Sequence, residues 1–227
     1  MAFDVLDEHE QGELVRKWVR ENWLSIAIGI GLGLLLLFGW QQWRNHRANR
    51  NMDAATQFDA LSADMTRKDF DAAKALAAKI KSDYPDSPYA VLAAMREADV
   101  ATQKGDNESA YASLDWAWQH AGDEALKGTV GVGLVRVQLA RGKAQEALDL
   151  LDKLPKGGFE AANAELRGDA LVALGRKDDA RSAYAEALTK LDPGAPVRGF
   201  IEMKMSDLGA AAKADAPAKA DTEKKNS

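Results

Sequence analysis

Hydrophobic side chains form one unbroken run near the N-terminus, and further along the chain they recur at helical spacing. No Asp, Glu, Lys or Arg occurs from Asn22 to Trp43. The 17 residues from Leu24 to Trp40 include six Leu, three Ile and one Phe. As a helix, this stretch with its flanking tryptophans approaches the roughly 30 Å of a bilayer's hydrocarbon core. A core helix of a soluble domain would show a polar face in every turn, so the pattern predicts a membrane-spanning helix.

Four of the six tryptophans bracket this run, as aromatic side chains do at membrane interfaces. The predicted interface anchors are Trp18, Trp23, Trp40 and Trp43. A cleaved signal peptide is less consistent with the pattern, because its apolar region usually has about 7–15 residues and ends at a small-x-small site. The run is longer and begins only after residue 22. We therefore expect an uncleaved anchor.

Gly29 and Gly33 form a small-xxx-small pair on one face of the predicted span. Such a pair lets a second helix approach closely, so these residues are candidates for helix pairing in the membrane. The alternative is that glycine is simply common in spanning helices. Both interpretations stay open at this point.

Positive charge does not decide the orientation of the span. Three basic residues lie on each side of it, namely Arg16, Lys17 and Arg20 before it and Arg44, Arg47 and Arg50 after it. Long domains cross membranes largely regardless of charge, so the short N-terminal tail is the better indicator. It favours, weakly, a cytoplasmic tail and a body on the other side.

The body repeats itself with a period near that of the tetratricopeptide repeat. Four turn-and-helix strings begin at Lys68, Gly105, Gly142 and Gly175. Each carries a small residue at the same offset, with spacings of 37, 37 and 33 residues: Ala73, Ala110, Ala147 and Ala180. The three glycines are expected to end helices in the left-handed conformation, and the alanines to lie where two helices cross closely.

The period and the absence of alternating strand patterns predict an all-α fold, a single N-terminal transmembrane helix followed by a tetratricopeptide-like solenoid. Pro85 and Pro88 are expected to stop one helix and open the next. Residues Val197 to Leu208 are expected to form a capping helix. The predicted organisation is a cytoplasmic tail over 1–22, a span over 23–43, about four hairpins and the cap over 44–208, and a disordered tail over 209–227.

Composition narrows the chemistry. The net charge of −5, without a basic block, argues against nucleic-acid binding, and the lack of cysteine excludes disulfides and thiolate sites. His9, His46 and His120 show no ligand spacing, so we expect no metal and no cofactor. The string "GTVGVG" from Gly128 lacks the strand and the Lys-Ser/Thr of a phosphate loop, and a close-packed or loosened helix is the better interpretation. No catalytic arrangement is found, so we expect no enzyme.

Trp116 and Trp118 lie two apart on a predicted helix and therefore on different faces. One of them is a candidate partner contact, because tryptophan is enriched among binding hot spots. Packing within the helix stack is the favoured alternative.

Three strings together carry a family resemblance: "GWQQWR" at the end of the span, "LVRVQLARGKAQEALDLLDKL", and "AELRGDALVALGRKDDARSAYAEAL". Over about residues 5–208, the chain resembles the YfgM family of ancillary SecYEG translocon subunits of Gram-negative bacteria. The resemblance implies a single-pass inner-membrane protein with its N-terminus in the cytoplasm and its repeats in the periplasm. The implied partners are the SecYEG translocon, a membrane-anchored periplasmic chaperone of the PpiD type and unfolded secreted chains. The implied role is to assist the hand-over of secreted chains.

Two functions are therefore expected from the sequence. The first is a periplasmic interaction scaffold at the translocon. The alternative is a membrane-anchored repeat adaptor that faces the cytoplasm and acts in signalling or complex assembly. A membrane-bound enzyme would need a site that the sequence does not contain.

Overall fold

The computed structural model describes residues 8–214, and the burial of side chains at residues 12, 13 and 15–209. Residues 1–7, part of the expected cytoplasmic tail, lie outside the described residues. So do residues 215–227, most of the tail expected to be disordered.

Every regular element within residues 8–214 is an α-helix, which confirms the all-α fold class. The helices are α1 (Glu8–Arg67), α2 (Phe70–Asp83), α3 (Pro88–Gln103), α4 (Asn107–His120), α5 (Glu124–Ala140), α6 (Ala144–Leu151), α7 (Glu160–Ala173), α8 (Lys177–Lys190) and α9 (Arg198–Ala214). Pro88 opens α3, and α2 ends two residues before Pro85, as the proline positions predict.

The chain divides into two compact units, Met1–Met52 and Asp53–Ser227. The first unit contains a helical stretch long and apolar enough to cross a membrane. Its most apolar 18-residue window has a mean hydropathy of 2.0, and none of that window is buried. Leu36 and Phe38 leave 75% and 72% of their surfaces exposed. A core helix of a soluble domain would bury such side chains, so the helix fits a single-pass membrane protein.

The second unit is a series of helical hairpins, and the same helix ending closes the first helix of each. Gly105, Gly142 and Gly175 have φ values of 74°, 75° and 75°, which confirms the predicted left-handed conformation. The residue after each glycine donates its N–H across the turn to a carbonyl oxygen five residues back, at 2.9 Å. This is the Schellman ending, which satisfies carbonyls at the helix terminus. Lys68 occupies the equivalent place in the first hairpin with φ 61°.

The small residues at the repeat offset lie where the helices of a hairpin meet. Ala73 leaves 3% of its surface exposed, and Ala110, Ala147 and Ala180 leave none. The predicted close crossings are therefore confirmed. Around them the buried side chains form three successive hydrophobic clusters along the series of hairpins. The first includes Leu61 and Ile80, the second Leu114 and Val130, and the third Leu171 and Ile201.

The "GTVGVG" string lies inside α5. Side chains from elsewhere in the repeat unit pack directly against two of its glycines. A Cβ atom at Gly128 would lie 2.2 Å from the ring of Phe159, and one at Gly131 would lie 2.3 Å from Leu154. The close-packed interpretation of this string is confirmed.

Helix α9 closes the series. Ile201 and Leu208 are buried against α8 and the neighbouring cluster. The helix runs on to Ala214, six residues beyond the predicted cap, through residues that composition assigns to the tail. Alanine has the highest intrinsic helix propensity, which accounts for the continuation through this Ala-rich segment.

Candidate interaction surfaces

The tryptophans at the two ends of the apolar stretch are all open to the surroundings. Trp18, Trp23, Trp40 and Trp43 leave between 52% and 60% of their surfaces exposed. Exposed indole rings at both ends of an apolar helix are suited to the water–lipid interface. Their role as anchors stays a prediction.

The face carrying Gly29 and Gly33 has no neighbour in the described residues. A Cβ atom built at either position would meet no heavy atom within 4 Å outside its own helical turn. Within α5, by contrast, the side chains of Phe159 and Leu154 occupy the space beside two of the glycines. The face is therefore free for a second helix, and pairing through it stays a prediction.

Trp116 and Trp118 are half-buried between hydrophobic clusters of the repeat unit. Trp116 packs against the first and second clusters, and its ring stacks on His120 with centroids 3.9 Å apart. Trp118 packs against the second and third clusters and lies beside Gly131. Both rings thus contribute to contacts between successive hairpins. The partner-contact role of either residue stays a prediction.

A first groove lies over α3, between α2 and α4, and encloses about 430 Å³. Small buried side chains, among them Ala73, Ala77 and Ala101, line its floor. Charged side chains stand around it: Lys81 pairs with Glu97, and Lys104 lies 5.5 Å from the ring centroid of Phe70. We call it the alanine groove.

A second groove is built from α5, α7 and α9 and encloses about 520 Å³. We call it the cap groove. Its lining residues are Arg136, Leu139, Glu165, Leu166, Asp169, Ala173, Val197, Phe200 and Lys204. Phe200 leaves 51% of its surface exposed and Val197 38%. Exposed apolar side chains beside charged ones suit a protein segment of mixed character.

An ionic network holds the floor of the cap groove. Lys204 donates to Glu165 at 2.9 Å and to both oxygens of Asp169 at 2.7 and 2.8 Å. Asp169 also accepts from the hydroxyl of Tyr184 at 2.7 Å. Burial of the ring and the bond to Asp169 raise the pKa of Tyr184 well above its usual value. Tyr184 therefore stays protonated as a donor, and the network ties α9 to α7 and α8.

Sequence reasoning did not find the cap groove, because its lining comes from helices separated by tens of residues. One signal was present. Phe200 lies next to Ile201 in the sequence. Ile201 is buried in the core, whereas Phe200 is exposed on another side of the capping helix. Adjacent residues of a helix point to different sides, so the pair indicates apolar surface on the capping helix beyond the side that the core buries.

No metal centre is apparent in the part of the chain that the structure describes. Among those residues, no three His, Asp or Glu side chains are grouped so that they could hold a metal ion. Lys204 already pairs with both carboxylates that line the cap groove, Glu165 and Asp169.

The sequence is similar to a family model and to several named bacterial proteins. A tetratricopeptide repeat-like domain model matches residues 16–210. The chain is 33% identical to the ancillary SecYEG translocon subunit of Escherichia coli over 205 residues, covering 89% of this chain and 97% of that protein. It is also 33% identical to the Haemophilus influenzae subunit of the same name, covering 82% of this chain and 91% of the relative. The corresponding Neisseria gonorrhoeae protein is 26% identical and covers 82% and 89%. The chain therefore belongs to the family of ancillary SecYEG translocon subunits, which carry a tetratricopeptide repeat-like domain.

Proposed function

We propose that this chain is a membrane-anchored interaction scaffold of the SecYEG translocon, with its N-terminus in the cytoplasm and its repeats in the periplasm of a Gram-negative inner membrane. The repeats assist the hand-over of secreted chains to a membrane-anchored periplasmic chaperone of the PpiD type. The protein acts by binding and positioning, without catalysis.

The observation that carries this proposal is the extent of the similarity to named translocon subunits. It covers 97% of the Escherichia coli relative, so it includes both the apolar helix and the repeats. A shared repeat domain alone would support only a general binding role, because one fold serves many functions. Similarity across the anchor as well supports a shared setting beside the translocon.

The cap groove is the surface that best suits the binding step. Val197 and Phe200 offer exposed apolar surface, and Arg136 and Lys204 stand beside them. Unfolded secreted chains and chaperone segments both present apolar side chains to such a surface. We assign the groove to contact with a protein segment of this kind.

A cytoplasm-facing adaptor is the second candidate function, because the basic residues beside the span are compatible with either orientation. Three of them flank each end of the span, so the positive-inside rule favours neither orientation. In that orientation the same repeats would serve a signalling or assembly complex.

Protease treatment of intact spheroplasts tests the orientation. Digestion of the repeats from outside supports the periplasmic scaffold. Protection of the repeats until the membrane is broken contradicts it and favours the cytoplasmic adaptor. A cytoplasmic protein in the same sample reports whether the spheroplasts stayed sealed.

Co-purification in a mild detergent tests the partners and the groove. The wild-type chain should recover translocon subunits together with the chaperone. Phe200→Ser should reduce recovery of the groove's partner several-fold while the repeats stay folded. Val172→Ser removes an apolar side chain that is 41% exposed and does not line the groove, so it should leave recovery unchanged. Equal recovery by the wild type and Phe200→Ser would remove the groove from the proposal.

A further inference from the structure

A cluster of basic side chains follows the apolar stretch directly, in the string "RNHRANR". It contains Arg44, His46, Arg47 and Arg50. No Asp or Glu occurs between Glu21 and Asp53, so the cluster has no carboxylate inside it. Arg44 and Arg47 in particular have no acidic residue three or four positions away, which is the reach of an ion pair along a helix.

The aromatic side chains at this end of the stretch are arranged with the arginines. The guanidinium carbon of Arg47 lies 5.4 Å from the ring centroid of Trp43. The ring of Trp43 lies 5.5 Å from that of Trp40 in a tilted arrangement. Arg44 projects one helical turn before Arg47 on the same side, and both are exposed. Two guanidinium groups and an indole ring therefore lie within one turn of the helix.

The other end of the apolar stretch carries as many basic residues but a different arrangement. Arg16, Lys17 and Arg20 are interspersed with Glu13 and Glu21. Lys17 lies four positions from each of these glutamates, at the spacing that favours ion pairs along a helix. Acidic residues are therefore interspersed with the basic ones at that end, whereas none lies within four positions of Arg44 or Arg47.

We propose that Trp43, Arg44 and Arg47 form a binding site for the phosphate of an anionic membrane phospholipid. Tryptophan rings lie at the headgroup level of a bilayer. Guanidinium groups bind phosphate through paired N–H donors, and a guanidinium held over an indole ring is attracted to its face.

The position of the site selects a lipid over other anions. Leu34 to Phe38, which come just before it, leave between 62% and 75% of their surfaces exposed. Acyl chains would cover this band while the phosphate meets the arginines one to two turns further along the helix. The site requires only that the apolar stretch lie in a bilayer, so it stands whichever compartment holds the repeats.

Native mass spectrometry of the full chain, purified in a mild detergent, tests the proposal. The protein is titrated with phosphatidylglycerol, with phosphatidylcholine, or with inorganic phosphate alone. Phosphatidylglycerol should bind well above phosphatidylcholine, and inorganic phosphate should neither bind nor displace it. Arg44→Gln/Arg47→Gln should weaken phosphatidylglycerol binding by about 5-fold for each charge removed.

The matched control is Arg16→Gln/Lys17→Gln, which removes two positive charges from the other end of the stretch and should change binding little. Trp43→Leu keeps an apolar side chain and should weaken binding less than the double arginine variant. Arg44→Lys/Arg47→Lys, which keeps the charge, should retain part of the binding and shows that loss in the glutamine variant does not come from misfolding.

Three results would overturn the site. These are equal binding of phosphatidylglycerol and phosphatidylcholine, equal loss in the two double glutamine variants, and full competition by inorganic phosphate. The second would mean that overall charge alone attracts the lipid. The third would mean that the arginines bind a free anion.

Discussion

Arg141 donates from Nε and Nη2 to the two carboxylate oxygens of Glu108, at 2.8 and 2.7 Å. Glu108 lies in the first turn of α4, and Arg141 caps the C-terminus of α5. The guanidinium also lies 4.1 Å from the ring centroid of Tyr111, and only 12% of the arginine side chain is exposed. Residues 33 positions apart thus join one hairpin to the next through a paired, stacked contact.

This contact predicts a dependence of stability on pH. The Arg141 guanidinium lowers the pKa of Glu108 below its ordinary value of 4.5. The stabilisation is therefore present above about pH 4.5 and is lost as the pH falls through the lowered value. Glu108→Gln should lower the melting temperature at neutral pH and reduce the further drop on acidification. Thermal unfolding by circular dichroism at several pH values measures both effects.

The control for that experiment is Glu186→Gln, which changes an exposed glutamate on α8. It should leave the acid-induced drop as in the wild type. The ion pair would have no role in acid sensitivity if Glu108→Gln and the wild type lost the same stability on acidification.

Lys68 adopts the left-handed conformation that glycine adopts at the other three hairpin turns. That conformation costs an L-residue about 1–2 kcal/mol, which a glycine would not lose. Glycine's greater freedom in the unfolded chain offsets about 0.5–1 kcal/mol of this stabilisation. Lys68→Gly should therefore stabilise the repeats by about 0.5–1 kcal/mol. Gly142→Ala should destabilise them by about 1 kcal/mol, since it creates the same strain. Urea denaturation gives both values, and a destabilised Lys68→Gly would contradict the conformational argument.

Ala180 is fully buried at the close approach of α7 and α8. Ala180→Leu should destabilise the repeat unit by about 1–3 kcal/mol, because the larger side chain forces the helices apart. Ala185→Leu places the same side chain at an exposed position of the same helix and should have a small effect. An unchanged melting temperature for Ala180→Leu would mean that the hairpins do not cross where the repeat places them.

Two glycines inside helices should respond to alanine in opposite directions. A Cβ atom at Gly168 would lie 2.3 Å from the ring of Tyr184, whose hydroxyl is held by Asp169. Gly168→Ala should therefore destabilise the protein by about 1–2 kcal/mol, after alanine's better helix propensity is counted.

At Gly133, by contrast, a Cβ atom would meet Leu114 at an ordinary 3.5 Å. Gly133→Ala should stabilise α5 by about 0.5–1 kcal/mol. Chemical denaturation of both variants under one set of conditions compares the two sites. A shift of the same sign in both would show that helix propensity outweighs the contact with Tyr184.

Gly29→Leu/Gly33→Leu should weaken association with membrane partners, because the leucines block the close approach of a second helix. The protein should stay in the membrane, since the substitutions make the span more apolar. Gly31→Leu adds the same side chain on another face of the helix and should leave association intact. Co-purification after membrane fractionation measures both properties, and undiminished recovery of partners would exclude pairing through this face.

Local features of the sequence were sufficient for most of the architecture. The apolar stretch was recognisable because spanning a bilayer needs only length and composition. The turns at Gly105, Gly142 and Gly175 were recognisable because a Schellman ending depends on one residue's backbone freedom. The repeat period then placed the alanine crossings. The end of α9 was not predicted. The composition of this Ala- and Lys-rich segment is typical of a disordered tail, whereas the helix propensity of its alanines favours a helix.

Contacts between side chains that are distant in the sequence could be seen only in the folded structure. The contact of Tyr184 with Gly168, the pairing of Arg141 with Glu108 and the lining of the cap groove all depend on how successive hairpins stack. Stacking is set by many small packing contacts at once, and no single spacing in the sequence encodes it. The apolar helix, the hairpins and their turns could be predicted from the sequence, because these features depend on neighbours along the chain. The grooves and the links between hairpins arose only when the helices packed in three dimensions.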